Sequence, residues 1–159
     1  MEKMLPIRPR ASTQRSTMNF AIVASQYNID LTQSLVDAAF KEISVLEIGA
    51  RIDLVWVPGT YELPLIVKNV AARNAYAAIT AFGVLIEGQT LHAELIARSV
   101  TDALLRIALD YNVPVIDGVV IGTKPLAKTR CCGTDKNRGV EAARAAVAMA
   151  RTMKTLTSS

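Results

Sequence analysis

The stretch AFGVLIEGQTLHAELIARSV, residues 81–100, decides the expected fold of this chain. Its apolar residues run to Ile86 and are followed by Gly88, which is typical of a β-strand that ends in a turn. Apolar residues at helical spacing begin at about Thr90, so a helix is expected directly after the strand. His92, the only histidine of the chain, falls in the first turn of that helix.

A strand that leads at once into a helix forms a candidate anion site. The first backbone N–H groups of a helix lack partners within the helix, and the helix dipole makes that end partly positive. Gly88, Gln89 and Thr90 therefore form a candidate phosphate-binding turn, although they also fit an ordinary turn in which Thr90 caps the helix. An imidazole beside an anion can transfer protons near pH 7, so His92 is a candidate catalytic residue. A surface or capping histidine is the alternative interpretation.

Strands and helices alternate along the chain. Apolar runs of β-forming residues predict strands at 19–24, 51–57, 76–86 and 113–121. Apolar residues at three- and four-residue spacing predict helices at 29–47, from 61 to about 73, at 90–111 and at 137–153, with fraying beyond. Residues 122–139 are expected to form a loop with a short helical turn near 126–130. This order predicts a four-stranded parallel sheet with right-handed crossovers and helices on both faces.

In such a sheet, ligands bind beyond the carboxyl ends of the strands. The loops expected at that edge contain Tyr27, Gly59, Glu62, Gly88, Thr90, His92 and Arg130. Tyr27 can stack on a flat heterocycle, but a half-buried loop tyrosine fits equally well. Glu62 suits either ligand hydroxyls or a favourable position on a helix dipole. Arg130 suits a phosphate, although a lone arginine in a basic loop is usually solvated.

The composition favours a cytoplasmic α/β domain. Hydrophobic residues make up 51% of the chain and aromatic ones only 5%, as expected for buried parallel strands. No apolar run reaches the roughly 18 residues that a membrane helix needs, and the polar start lacks a signal-peptide core. We therefore expect no membrane partner. Residues 18–159 are expected to form a single domain.

Residues 1–17 form an expected extended basic segment, with four of the chain's basic residues and one acidic residue. A basic arm can bind nucleic acid or an acidic partner. However, the rest of the chain has no basic stripe, which favours a solvated or partner-docked segment without a nucleic-acid role. Cys131 and Cys132 are adjacent, so they would form only a strained disulfide, and no zinc-binding spacing is present. Two reduced thiols and no metal are expected.

Several segments together resemble the 6,7-dimethyl-8-ribityllumazine synthase family. They are PGTYELP at 58–64, GVLIEGQTLH at 83–92, VPVIDGVV at 113–120, an arginine at 130 and NRGVEAARAAVAMA at 137–150. The resemblance extends over roughly residues 19–153. It implies a flavodoxin-like three-layer α/β/α fold without any cofactor. It also implies condensation of 5-amino-6-(D-ribitylamino)uracil with 3,4-dihydroxy-2-butanone 4-phosphate, with release of phosphate and water.

The resemblance also assigns roles to individual residues. Tyr27 matches the aromatic residue that stacks on the pyrimidine, and His92 matches the proton-transfer histidine. The other matched residues bind substrate: Gly59, Thr60 and Glu62 at the ring edge and ribityl chain, Val84, Leu85 and Ile86 at the strand end beside the pyrimidine, and Gly88, Gln89 and Thr90 at the phosphate. Arg130 matches the arginine that reaches the phosphate from an adjacent subunit, and Asp117 matches a position at the neighbouring subunit's pyrimidine pocket. The resemblance implies a homopentamer or a multiple of it.

The sequence departs from the family pattern at three positions. Many members have arginine at Glu87, an aromatic residue at Asp117 and lysine at Thr134. These departures leave open a second interpretation, in which the chain is a weak or inactive homologue that binds a lumazine- or flavin-like ligand or serves as an assembly scaffold.

Overall fold

Six strands and five helices make up the computed structural model, which describes residues 13–88 and 91–158. The strands are β1 Asn19–Ser25, β2 Arg51–Val57, β3 Ala78–Phe82, β4 Val84–Ile86, β5 Val115–Asp117 and β6 Val120–Gly122. The helices are α1 Ile29–Leu46, α2 Leu63–Ala71, α3 His92–Tyr111, α4 Lys124–Cys132 and α5 Arg138–Thr157. One 3₁₀ turn, Thr60–Glu62, precedes α2. The order β2-β1-β3-β5 forms a four-stranded parallel sheet, and β4 pairs with β6.

Strand β1 lies between two apolar cores because successive side chains of a strand point to opposite faces of the sheet. Phe20 and Ile22 belong to the core that contains residues of α1, α4 and α5. Ala21 and Val23 belong to the core that contains residues of α2 and α3. This three-layer arrangement confirms the predicted flavodoxin-like α/β/α fold. No helix among the described residues is long and apolar enough to cross a membrane.

The prediction of continuous strands at 76–86 and 113–121 was wrong. The first divides at Gly83 into β3 and β4, and the second divides at Gly118 into β5 and β6. The two predicted strands remain hydrogen-bonded to each other across the break. The Gly118 N–H donates to the Ala81 carbonyl at 2.8 Å, and the Val120 N–H donates to the Gly83 carbonyl at 2.9 Å. A Cβ added at Gly83 would overlap the Thr60 side chain, and one added at Gly118 would overlap the Phe82 side chain. Both breaks therefore depend on a side chain that lies close to a glycine backbone.

The basic stretch after β6, which was predicted to be mainly a loop, contains the nine-residue helix α4. The Thr123 side chain caps this helix by accepting from the Leu126 N–H at 3.4 Å, and Pro125 fits the first turn. The ends of two other helices also differ from the predictions. α2 stops at Ala71 rather than near residue 73, and α5 continues to Thr157, a turn beyond the predicted end at 153.

The apolar stripe predicted along α3 does not face one core throughout. Val100, Leu104 and Ile107 are buried, but Leu91 and Leu95 at the start of the predicted stripe are exposed. The exposed face of α3 thus begins beside His92.

Residues 13–17, at the end of the predicted N-terminal segment, have neither helix nor strand structure, and residues 1–12 lie outside the described part. The Ser16 N–H donates to the Ile48 carbonyl at 2.7 Å, and the Arg15 side chain covers Gly49. This end of the segment therefore contacts the connection between α1 and β2.

Gly139 is required where α5 crosses α1. An added Cβ would overlap the Leu35 carbonyl oxygen and lie 3.1 Å from the Ala38 Cβ. Alanine normally favours a helix over glycine, but here the backbones would have to separate. We expect Gly139→Ala to lower the free energy of unfolding by about 1–3 kcal/mol, measured by urea denaturation.

Thr152→Ala, on the exposed face of the same helix, serves as the control and should change that energy by less than about 0.5 kcal/mol. An unchanged or higher stability of Gly139→Ala would contradict the close approach of α1 and α5.

Candidate active site

The loops after β1, β2 and β4 and the first turns of α3 enclose a cleft of about 390 Å³. Most residues that the sequence indicated for substrate contact line it: Tyr27, Gly59, Thr60, Glu62, Leu85, Ile86, Gly88 and His92. Among the described residues, Asn28, Tyr61, Ala93 and Ile96 also line the cleft and were not identified from the sequence. The volume is in the range of small-molecule sites.

Asn28 holds the loop after β1 in place. Its backbone has a left-handed φ of 58°, which asparagine tolerates better than most residues. Its Nδ2 donates to the Val84 carbonyl at 2.8 Å. The Tyr27 N–H donates to the Pro58 carbonyl at 3.0 Å, which joins this loop to the one after β2. The Tyr27 ring, which is 70% exposed, is thereby positioned in the cleft wall.

Thr60 joins the loop after β2 to the break between β3 and β4. Its side chain is buried and lies against Gly83. Gly59 is extended, and a Cβ at this position would lie only 2.8 Å from the Glu62 Oε2 atom. The absence of a side chain at Gly59 therefore leaves room for the exposed Glu62 carboxylate at the cleft.

The end of β4 provides an apolar wall followed by accessible backbone. Val84 is fully buried, whereas Leu85 and Ile86 line the cleft. The Glu87 N–H donates to the Gly122 carbonyl at 2.9 Å, which holds the chain just before the turn. No heavy atom of the described residues lies within 4 Å of an added Cβ at Gly88, so a ligand can approach its backbone. The remaining residues of the predicted phosphate turn, Gln89 and Thr90, lie outside the described part of the chain.

His92 is the first residue of α3, and its side chain is exposed. It lines the cleft and, together with Tyr61, Leu95 and Ile96, an apolar trough next to it. The N-cap of α3 is Leu91, not Thr90, and the apolar Leu91 side chain cannot accept a hydrogen bond. An imidazole, which is able to transfer protons near neutral pH, and the partly positive end of a 20-residue helix thus occur together in the cleft.

Three predicted site residues, Val84, Asp117 and Arg130, are not among the residues that line this cleft. The Asp117 carboxylate accepts from the Thr101 hydroxyl at 2.7 Å and from the Val119 N–H at 3.0 Å. Arg130 lies on α4 and pairs within its own chain with Glu141 on α5. The described residues therefore place Asp117 and Arg130 outside the group that surrounds Tyr27 and His92.

Arg130 and Glu141 form a two-pronged ion pair that the sequence analysis did not identify. Arg130 Nη1 donates to Glu141 Oε1 at 2.8 Å, and Arg130 Nη2 donates to Oε2 at 2.7 Å. Arg130 Nη1 also donates to the Lys136 carbonyl at 2.9 Å. The hydrogen bond to Glu141 raises the pKa of Arg130, and the same bond lowers the pKa of Glu141.

Because the pKa of Glu141 is lowered, the free energy of unfolding is expected to depend on pH in the acidic range. A carboxylate whose folded-state pKa is depressed stabilises the fold above its unfolded pKa, and this contribution is lost as the pH falls through the folded pKa. As the pH is lowered from 4.5, the ordinary value for this group, wild-type protein should lose more stability than Glu141→Gln. Urea midpoints measured at several pH values test this prediction, and equal acid sensitivity of the two proteins would contradict it.

The cysteines are both free, with Cys131 buried and Cys132 exposed, as expected for two reduced thiols. Burial raises the pKa of the Cys131 thiol to about 11, which keeps it protonated and a poor nucleophile at neutral pH. Among the described residues, no group of three or more metal-binding side chains is present.

Comparison with known proteins relates this chain to one family. The family model described as 6,7-dimethyl-8-ribityllumazine synthase matches residues 17–154. A protein of that name from Coxiella burnetii (strain Dugway 5J108-111) is 38% identical over 141 residues, which is 87% of this chain and 93% of the relative. Another from Stenotrophomonas maltophilia (strain R551-3) is 38% identical over 86% of this chain and 90% of the relative. A third, from Thermococcus kodakarensis, is 36% identical over 87% and 88%.

Proposed function

This chain belongs to the 6,7-dimethyl-8-ribityllumazine synthase family, and we propose that it catalyses the reaction for which the family is named. The substrates are 5-amino-6-(D-ribitylamino)uracil and 3,4-dihydroxy-2-butanone 4-phosphate. An amine of the pyrimidine condenses with the ketone, phosphate leaves, and ring closure with loss of water gives the lumazine. The activity is that of a transferase in riboflavin biosynthesis.

One observation carries this proposal. Four separate segments of a chain that matches the family over residues 17–154 converge on a single cleft. An aromatic ring, a carboxylate and an imidazole line it, contributed by Tyr27, Glu62 and His92. These are the chemical groups needed to hold a polyhydroxylated heterocycle and to move protons beside it.

The pyrimidine substrate is bound between Tyr27 and the end of β4. The exposed Tyr27 ring stacks on the heterocycle, while Leu85 and Ile86 provide the wall beside it and the buried Val84 supports that wall. Gly59 and Thr60 hold the ring edge, and the Glu62 carboxylate accepts hydrogen bonds from ribityl hydroxyls. Support comes from the shared cleft and from the hydrogen bond between Asn28 and Val84, which joins the two sides of this subsite.

The phosphate of the second substrate is bound by the turn Gly88, Gln89 and Thr90 at the start of α3. His92 donates and accepts protons as the imine forms, phosphate leaves and the ring closes. Positioning two substrates side by side supplies roughly 7–11 kcal/mol, and acid–base transfer contributes about 10²–10⁴-fold in rate. No cofactor is assigned a role in this scheme.

We further propose that the site is completed in a homopentamer or a multiple of it, where Asp117 and Arg130 serve a neighbouring subunit's cleft. The exposed leucines of α3 and its N-cap support self-association. Leu91, Leu95, Leu105 and Leu109 are all more than 60% exposed, and their spacings return to one face of a helix. A cytoplasmic location is proposed because the free thiols of Cys131 and Cys132 suit a reducing compartment.

The experiment is to mix purified protein with both substrates and to follow lumazine fluorescence and inorganic phosphate together. The proposed function predicts equal molar formation of lumazine and phosphate at a rate well above that without protein. A rate equal to that without protein, from folded protein that still binds the lumazine, would instead support the non-catalytic binding homologue. No observation on the described residues favours that alternative.

A further inference from the structure

We propose that Asn28 is a positioning residue that sets the width of the pyrimidine subsite by joining the loop after β1 to β4. The inference rests on the proposed function, which places the pyrimidine between Tyr27 and the end of β4. It follows from the place where the pairing of the central strands stops.

The sheet opens at the break between β3 and β4. β1 pairs with β3 as far as Ala24 and Phe82. Among the described strands, β4 pairs with β6 and with no other, so the edge of β4 that faces away from β6 has no neighbouring strand. A strand edge without a partner leaves main-chain N–H and C=O groups unpaired. Another contact is therefore needed to fix the loop after β1 relative to β4.

The Asn28 side chain supplies that contact. The Gly83 carbonyl and the Glu87 N–H both hydrogen-bond to β6 or its last residue. Because the main-chain groups of successive residues in a strand point to alternate edges, the Val84 carbonyl points away from β6. Asn28 Nδ2 donates to this carbonyl at 2.8 Å. A side-chain amide thus takes the place of a neighbouring strand at the point where the cleft opens.

The Asn28 amide is available for this contact because it does not cap its own helix. Asn28 is the N-cap of α1, a position at which an asparagine side chain usually accepts from a helix N–H. Here no side-chain cap bond forms, and the backbone is left-handed with a φ of 58°. The Asn28 main-chain carbonyl instead accepts from the N–H groups of Leu31 and Thr32, at 3.0 and 3.1 Å. The side chain is thereby left to bind β4.

Tyr27 directly precedes Asn28, so the contact also determines where the aromatic ring lies. The Tyr27 N–H donates to the Pro58 carbonyl at 3.0 Å, and the Tyr27 carbonyl accepts from the buried Ser25 hydroxyl at 3.4 Å. Because β4 is also held by β6, loss of the Asn28 contact should displace the Tyr27 loop rather than β4. The effect should therefore fall on the pyrimidine and not on the phosphate bound after β4.

The test measures binding of 6,7-dimethyl-8-ribityllumazine, followed by its fluorescence, and the KM of each substrate for Asn28→Asp and Asn28→Gly. Aspartate keeps the shape of the side chain but presents a carboxylate oxygen to the Val84 carbonyl in place of a donor. Glycine adopts the left-handed backbone without strain and removes the contact. We expect both variants to weaken lumazine binding and to raise the KM of the pyrimidine about tenfold, with the KM of the butanone phosphate unchanged within about twofold.

A double-mutant cycle with Tyr27→Ala separates positioning of the ring from a general loosening of the fold. In the Tyr27→Ala background there is no ring to position, so Asn28→Gly should weaken lumazine binding by less than about twofold further. Equal weakening with and without the Tyr27 ring would overturn the positioning role. Unchanged lumazine binding in both Asn28 variants, or an equal rise in the KM of the two substrates, would overturn it as well.

Asn112→Asp and Asn112→Gly are the matched controls. Asn112 has the same left-handed backbone, with a φ of 50°, but it follows α3 and precedes β5, at the opposite edge of the sheet. Both controls should leave lumazine binding and both KM values unchanged. A wild-type protein that neither binds nor forms lumazine would refute the proposed function, and this inference with it. A wild-type protein that binds lumazine no better than its Asn28 variants would refute the inference alone.

Discussion

Replacing His92 by alanine is expected to lower kcat at least tenfold, and on the order of a hundredfold, with little change in stability. His92 is exposed at the start of α3, so its loss removes a proton-transfer group without creating a cavity. The effect should fall on kcat more than on KM, because imine formation, phosphate loss and ring closure each require a proton to move. Steady-state kinetics with both substrates and a thermal melt measure the two quantities.

The chain has no other histidine, which makes chemical rescue informative. Added imidazole should restore part of the lost rate in His92→Ala and should not accelerate the wild-type protein. Glu94→Gln, two residues further along α3 and paired with Arg98 on the surface, is the control and should keep the wild-type rate. A wild-type rate for His92→Ala in a correctly assembled protein would remove the imidazole from the mechanism.

Replacing Phe82 by alanine should have the largest effect on folding, with a loss of about 3–5 kcal/mol in the free energy of unfolding. Phe82 is 0% exposed and ends β3, where its ring fills the space left by Gly118. Its removal opens a cavity at the break that separates β3 from β4 and β5 from β6. Urea denaturation at fixed protein concentration measures the loss, since association alters apparent stability.

Phe40→Ala makes the same chemical change at a position on α1 that is 48% exposed. It should cost less than about 1 kcal/mol, because much of the Phe40 side chain remains in contact with water in the folded chain. Similar losses for the two variants would mean that Phe82 does not close the core at the strand break.

The sequence was sufficient where local pattern determines structure. β2 was predicted with its observed ends, and β1 and α1 were each within one residue, because apolar periodicity and flanking turn residues are local signals. The strand breaks at Gly83 and Gly118 were missed since they depend on side chains that arrive from elsewhere, namely Thr60 and Phe82. Helix α4 was underestimated because its apolar content is low. The Thr123 cap and Pro125 were the available signals.

In the candidate site too, local pattern predicted some residues, whereas others depend on contacts between distant segments. Tyr27, Glu62 and His92 were expected at the cleft because each lies in the loop or first helical turn after a predicted strand, and parallel strands bring these ends to one edge. Asn28 was missed because its role is a hydrogen bond to Val84, 56 residues away along the chain. The pairing of Arg130 with Glu141 required knowledge of how α4 and α5 meet, which no local pattern provides.

The most direct test of the central claim is a crystal structure of the protein with bound 6,7-dimethyl-8-ribityllumazine and inorganic phosphate. We expect the heterocycle in the cleft against the Tyr27 ring, the ribityl hydroxyls beside Glu62, and the phosphate at the Gly88 backbone within hydrogen-bond distance of His92. A lumazine bound elsewhere while this cleft stays empty, or a phosphate remote from His92, would contradict the account.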